Sequence, residues 1–438
     1  MPLADIAPKA TPSAPIHTPL LNELQGTGML FVNPRASRCP YPADLKEVMS
    51  VGSAHESRDW LSSWEHLSQD ATPLWELPGI AAELGVARFW VKDESTRSPL
   101  ASFKALGAPI ALIRLILRLM PLESFDPKGL ITGRYRERLR DFTVISATDG
   151  NHGRALAAAA QSVGCKCVIV LHANVSAERE AAIAAYGARI IRIEGNYDES
   201  VEHTAKVAQQ NGWPVVSDTS YEGYEIVPRD VMQGYGTIAA ELIEQTTGDT
   251  AAPCPFTHVF LQGGVGGMAA GISSYLWEIY QDQRPAFVMV EPRQADCLYQ
   301  SAIQGRPAKA TGSVDSVMAG LACGETSPLA WRFLEPSIDF FLTIADHEAV
   351  TAMRKLAQGS ANDIPIVAGE SGVAGLAAVQ ILVRDSEAAR KIGLNSDSRI
   401  LIISTEGATA PTVYESLVGE SDEAVIDRQR QWQKRKHL

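Results

Sequence analysis

Three short segments hold side chains whose types and spacing could do chemistry. Lys104 stands in Ala101-Ser102-Phe103-Lys104-Ala105-Leu106-Gly107, an apolar setting for an amine. Downstream, Ser146-Ala147-Thr148-Asp149-Gly150-Asn151-His152-Gly153 puts a carboxylate, an amide and an imidazole in one glycine-flanked turn. A third segment, Gly263-Gly264-Val265-Gly266-Gly267, follows the strand-like His258-Val259-Phe260-Leu261-Gln262 and opens a helical pattern. Burial would depress the lysine pKa and leave its amine ready to form a Schiff base with an aldehyde. Glycines let the backbone approach an anion, and a helix N-terminus offers N–H donors and a favourable dipole. An aldehyde and a phosphate on one small molecule describe pyridoxal phosphate, and these segments predict a pocket for it.

Each segment also has a plainer reading. Gly264-x-Gly266-x-x-Ala269 fits a dinucleotide fingerprint, with Glu291 at the end of the next strand as its acidic partner, so an NAD-dependent oxidoreductase is an alternative. The same glycines could simply pack a helix closely on a strand. Asp149 could make an Asx turn, and Asp218 in Val215-Val216-Ser217-Asp218-Thr219-Ser220 could cap the next element. Both lie at strand ends of one α/β unit, where ligands gather. Ser404-Thr405-Glu406-Gly407 ends the last strong strand, so either hydroxyl could meet a ring nitrogen or cap the next helix. His152, between Asn and Gly, is expected to serve the turn through its backbone.

The elements that must position these groups are set by the apolar pattern. Strands are expected at 88–94, 143–146, 167–171, 189–193, 258–261, 286–290 and 400–403. Helices are expected at 80–84, 153–160, 176–186 and 267–280, and another runs from a Ser102 cap through Lys104 to 116–119. Strand, glycine turn and helix alternate, which argues an α/β protein with parallel sheets and covering helices. The domains expected are a loose arm at 1–20, a large unit from 21–120 and 253–438, and a smaller α/β unit at 121–252 inserted in it. The run 318–324 is small and apolar, like buried backbone.

Composition narrows the class. The 438 residues carry 39 Lys and Arg against 51 Asp and Glu, a formal charge of −12, which argues against nucleic acid as a partner. The basic cluster Lys434-Arg435-Lys436-His437 reads as a solvated tail. The longest apolar region, 106–122, is broken by Pro109, Arg114 and Arg118 and is too short for a membrane span. Six cysteines in a chain this long make neither a disulfide scaffold nor a zinc pattern. With no basic-then-apolar start, a reducing cytoplasmic setting is expected and no metal is implied.

Ser102-Phe103-Lys104, Asp149-Gly150-Asn151-His152-Gly153, Gly263–Gly267 and Ser404-Thr405-Glu406-Gly407 together resemble the tryptophan synthase β-like (fold type II) PLP enzymes. Within that group, Thr148–Gly153, Asp218-Thr219 with Glu222-Gly223-Tyr224, Met232-Gln233-Gly234-Tyr235, Met318–Glu325 and Gly369-Glu370-Ser371-Gly372 look like the 2,3-diaminopropionate ammonia-lyases. The resemblance covers roughly 20–415, and Asp149 discriminates, because serine and threonine dehydratases usually carry a serine there. It implies a homodimer acting on a small amino acid, with Lys104 holding pyridoxal phosphate, Asn151 at its 3′ oxygen and Gly263, Gly264, Val265, Gly266 and Gly267 at its phosphate. Thr405 or Ser404 would face the pyridine nitrogen, and Thr148, Gly150 and His152 would contact substrate. Asp149 would take the α-proton of the D-isomer and Asp218 would serve the L-isomer. Gly107-Ala108-Pro109, Ala408-Thr409 and the arginine-rich 126–140 depart from the family pattern. A dehydratase of serine, threonine or 3-hydroxyaspartate is the runner-up.

Overall fold

The computed structural model describes residues 30–148, 150–173, 175–195 and 197–436. Its strands are β1 (Leu30–Val32), β2 (Leu74–Glu76), β3 (Arg88–Asp93), β4 (Thr143–Ala147), β5 (Lys166–Leu171), β6 (Arg189–Arg192), β7 (His258–Gln262), β8 (Ala286–Pro292), β9 (Phe340–Ile344) and β10 (Arg399–Ser404). They form two sheets: a seven-stranded one in the order β1-β9-β8-β7-β10-β3-β2, and a three-stranded one in the order β4-β5-β6. The neighbours from β9 to β3 run parallel, and β1 and β2 close the edges antiparallel. The small sheet is wholly parallel. Every residue of β4 and β7 is buried, as expected of parallel strands covered by helices on both faces. The fold is therefore the α/β arrangement of parallel sheets and covering helices expected from the alternation of elements.

The differences from the sequence reading have local causes. β1 and β2 are three-residue edge strands, too short to announce themselves by alternation, and β9 escaped the pattern as well. The lysine helix is two elements: Phe103–Leu106 is a 3₁₀ turn, and an α-helix restarts at Ala108 and runs to Leu119. Pro109 explains the break, since proline is tolerated only in a helix's first turn. Ser102 does cap, accepting the Lys104 N–H at 3.3 Å. Val215 makes one bridge to Ile145 of β4 in place of a strand. Lys434, Arg435 and Lys436 are not a free tail; they end the helix Asp422–Lys436, where positive charge suits the dipole. The expected arm at 1–20 lies outside the described residues.

The 21-residue helix Ile226–Thr246 braces the lysine turn. A Cβ on its Gly234 would stand 2.0 Å from the Leu106 carbonyl oxygen, so only glycine lets the helix backbone come this close. Beside it, Tyr235 packs on Phe103 with ring centroids 4.8 Å apart. Near its far end, Glu241 accepts from Lys92 Nζ at 2.6 Å and from Arg97 Nη1 and Nη2 at 2.6 and 2.7 Å. Arg97 also grips Glu94, through Nε at 2.8 Å. All four charged side chains are buried, two of each sign, and they tie this helix to the end of β3.

Removing one partner of such a network strands a charge without water. Glu241→Gln is expected to lower unfolding free energy by about 3–5 kcal/mol. Urea titration of the variant checks this; a loss well under 1 kcal/mol would mean the network is not holding the helix.

Candidate active site

The carboxyl ends of β4, β7 and β10 converge on one cleft with about 1050 Å³ of empty space, part of it open to solvent. Lys104, Thr148, Gly150, Asn151, His152, Asp218, Gly264, Val265, Gly266, Gly267 and Thr405 all line it. Elements far apart in sequence thus bring most of the expected residues together, at the place where open α/β sheets bind ligands. Three of the expected residues are not among them. Asp149 lies outside the described residues. Gly263 continues β7, and its N–H is taken by the Val290 carbonyl at 2.8 Å. Ser404 is fully buried, and its hydroxyl finds no hydrogen-bond partner among the described residues.

Lys104 Nζ forms an ion pair with Asp218 Oδ2 and lies 5.2 Å over the Phe103 ring. This overturns the expectation that burial leaves the lysine with a lowered pKa. Burial alone would lower it, but the Asp218 carboxylate outweighs burial and raises it above the usual lysine range. Burial alone would likewise raise Asp218, yet the ammonium beside it holds the carboxyl well below the ordinary carboxylate range. The chain leading in is strained, because Ala101 adopts φ 52°, a left-handed conformation uncommon for a residue with a Cβ.

His152 departs from expectation too. Its ring, not only its backbone, is used: it is 4 % exposed, Nε2 donates to the Val216 carbonyl at 2.9 Å, and Nδ1 lies 3.7 Å from Asp218 Oδ2. The imidazole thereby props the segment that carries Asp218. Thr148 Oγ1 accepts the N–H groups of Gly150 and Gly153, both at 3.2 Å, and fixes the turn.

The helix Gly267–Tyr280 points its first turn into the cleft, with Gly266 as its N-cap at φ 100°, where a side chain would be strained. The N–H groups of a first helical turn have no intrahelical acceptors. A phosphate-sized anion fits such donors, and the Lys104 amine in the same cleft fits an aldehyde, so the donor set suits pyridoxal phosphate. Glu291, the acidic partner required by a dinucleotide site, is fully buried. It accepts from the N–H groups of Leu298 and Tyr299 at 2.9 and 2.7 Å and does not line the cleft. That geometry removes the oxidoreductase alternative.

Sequence reasoning assigned no role to three charged residues at the cleft, of which Arg179 and Glu406 line it and Glu370 does not. Arg179, from the helix Ala177–Ala184 beside the small sheet, reaches Glu370 Oε1 at 2.8 Å. Burial and the neighbouring Glu406 push the Glu370 carboxyl up to about 7. Glu406 lines the cleft and accepts from Asn151 Nδ2. Flanking glycines at 369, 372 and 407 marked these carboxylates as close to backbone, but no local signal pointed to Arg179. The run 319–323 lines the cleft as well, so it is a wall of the site and not merely buried backbone. Among the described residues no cluster of potential metal ligands occurs, and no helix is long and apolar enough to cross a membrane.

Residues 67–406 match the family model described as pyridoxal-phosphate dependent enzyme. The chain is 40% identical over 358 residues to a diaminopropionate ammonia-lyase of Escherichia coli (strain K12), covering 81% of this chain and 88% of that protein. It is 37% identical over 355 residues to the Salmonella typhimurium (strain LT2) diaminopropionate ammonia-lyase, covering 79% and 87% of the two chains. Among solved structures, the Escherichia coli diaminopropionate ammonia-lyase in complex with an aminoacrylate-PLP azomethine reaction intermediate superposes with a TM-score of 0.79 at 36% identity, covering 91% of this chain and 98% of that one. Cleft, lysine, glycine loop and these likenesses agree: the chain belongs to the pyridoxal-phosphate-dependent enzymes of fold type II, in the diaminopropionate ammonia-lyase family.

Proposed function

We propose that the protein eliminates ammonia from 2,3-diaminopropionate, giving pyruvate and a second ammonia from one water. The observation that carries this reading is the Lys104–Asp218 pair, an amine and a carboxylate held in contact in a cleft that also offers a helix N-terminus. Pyridoxal phosphate, when bound, supplies the electron sink that acidifies the substrate's α C–H. Lys104 Nζ would carry it, the N–H groups of Gly264 to Gly267 its phosphate, and Asn151 its 3′ oxygen. For the ring nitrogen, Thr405 is favoured over Ser404, because Thr405 alone of the two lines the cleft.

The remaining steps belong to side chains of this chain. Asp218 touches the amine and can hold or pass a proton at its Oδ2, which suits a base or acid for the L-isomer. Asp149 takes the same role for the D-isomer. The turn at Thr148 and Gly150 leads into the helix Asn151–Val163, whose first N–H groups, at Asn151 and His152, suit the substrate's carboxylate. The leaving β-amino group needs a proton, and an acid must be within reach of it. The reading extends to a homodimer working in the cytoplasm, with neither nucleic acid nor membrane as partner. It also takes residues 21–120 and 253–438 as a cofactor domain around an inserted unit at 121–252, supported by the membership of the two sheets.

Two measurements test this. Purified protein given 2,3-diaminopropionate should form pyruvate with two ammonia, whereas a dehydratase given serine forms pyruvate with one, so turnover of serine without turnover of 2,3-diaminopropionate defeats the substrate assignment. Replacing Asp149 with Asn should cut turnover of the D-isomer by on the order of 10²-fold or more, and Asp218→Asn that of the L-isomer, with cofactor still bound. Equal losses on both isomers in either variant would remove the division of labour.

A further inference from the structure

Glu406 is 4 % exposed and buried side by side with a second carboxylate, Glu370, at 2 %. Taking a carboxylate out of water is costly, and doing so next to another is costlier still. The contacts indicate what is gained. Glu406 Oε2 accepts from Asn151 Nδ2, and Oε1 accepts from the Ser371 N–H at 3.2 Å. The Glu406 carbonyl accepts from Gly369 N at 2.8 Å, and Glu406 bridges to Ser102, two residues before the lysine. One residue thus joins the Asn151 turn, the 369–372 loop, the lysine segment and the end of β10. A glutamine could accept only through its single oxygen, so two converging N–H donors call for the carboxylate.

We propose that Glu406 is a positioning residue for the cofactor, orienting the Asn151 amide and placing a negative charge one hydrogen bond behind the cofactor's 3′ oxygen. This rests on the proposed role of Asn151 at that oxygen. The Glu370–Arg179 pair supplies the compensating cation one residue further back, at 2.8 Å. Among the described residues, the other titratable groups facing the cleft are Lys104, His152, Tyr197, Asp218, Tyr235 and Cys323, and none of them is on the 369–372 or 405–407 segments. A negative charge at that point raises the proton affinity of the bound chromophore, and removing it lowers that affinity.

The test loads wild type, Glu406→Gln and Glu406→Asp with pyridoxal phosphate, then titrates the near-visible band against pH and records the melting of the cofactor-free proteins. The midpoint of the band should fall by on the order of one pH unit in E406Q, the size expected of one charge a few ångströms away. It should stay at the wild-type value in E406D, where the charge is retained. An E406Q protein that binds cofactor with an unshifted midpoint would overturn the proposal. So would an E406Q protein that no longer folds, which would assign Glu406 to the fold alone. A wild type that takes up no cofactor is a different failure, that of the functional reading, and it is visible before any variant is made.

Discussion

The contact between the Lys104 ammonium and the Asp218 carboxylate is the constraint around which the cleft is arranged. Two opposite charges taken largely out of water stabilise each other's ionised forms, so each pKa moves away from the direction burial alone would give. The pair also couples two parts of the chain: Lys104 belongs to a turn braced by the helix Ile226–Thr246, and Asp218 to the segment beside β4. His152 holds that segment by its hydrogen bond to the Val216 carbonyl. The pair holds the amine as an ammonium, which must give up a proton before it can act as a nucleophile. That is a different device from the desolvated, neutral lysine expected from an apolar sequence context.

Behind this pair the fold supplies rigidity where the chemistry needs it. The central parallel strands deliver Gln262 and Ser404 to the same edge of the large sheet, and the residues after them form two sides of the cleft. The small sheet delivers the Thr148 turn to the same cleft, where Asn151 meets Glu406. Two groups of buried charges brace this junction. The group of Lys92, Glu94, Arg97 and Glu241 ties a helix to the large sheet, and Arg179 with Glu370 links the helix Ala177–Ala184 to the 369–372 loop.

The legible part of the sequence was the part whose signals are local. Long apolar strands, glycine turns and the Ser102 cap each declare themselves within a few residues, so the α/β class and the main strands could be read from pattern. The lysine, the Asn-His turn and the glycine loop were legible because their residue types suit one cofactor. Long-range relations were illegible. Nothing near Lys104 says that a carboxylate from 114 residues away will sit on it and reverse its expected pKa. Nothing in Gly263–Gly267 tells which glycine is spent on the β8 ladder, or that Ser404 is buried while Thr405 lines the cleft. The fingerprint-like glycines were ambiguous for the same reason, resolved only by Glu291 turning inward to hold the helix Cys297–Gln304.

The most direct measurement is the titration of the Lys104 amine itself, by ¹⁵N NMR of selectively labelled, cofactor-free protein, in wild type and in Asp218→Asn. Wild-type Lys104 should remain an ammonium beyond the ordinary lysine range. In the variant the Asp218 charge is gone and burial dominates, so the midpoint should drop below that range. A Lys104 that titrates at the same pH in both proteins would contradict the claim that Asp218 sets the state of the lysine.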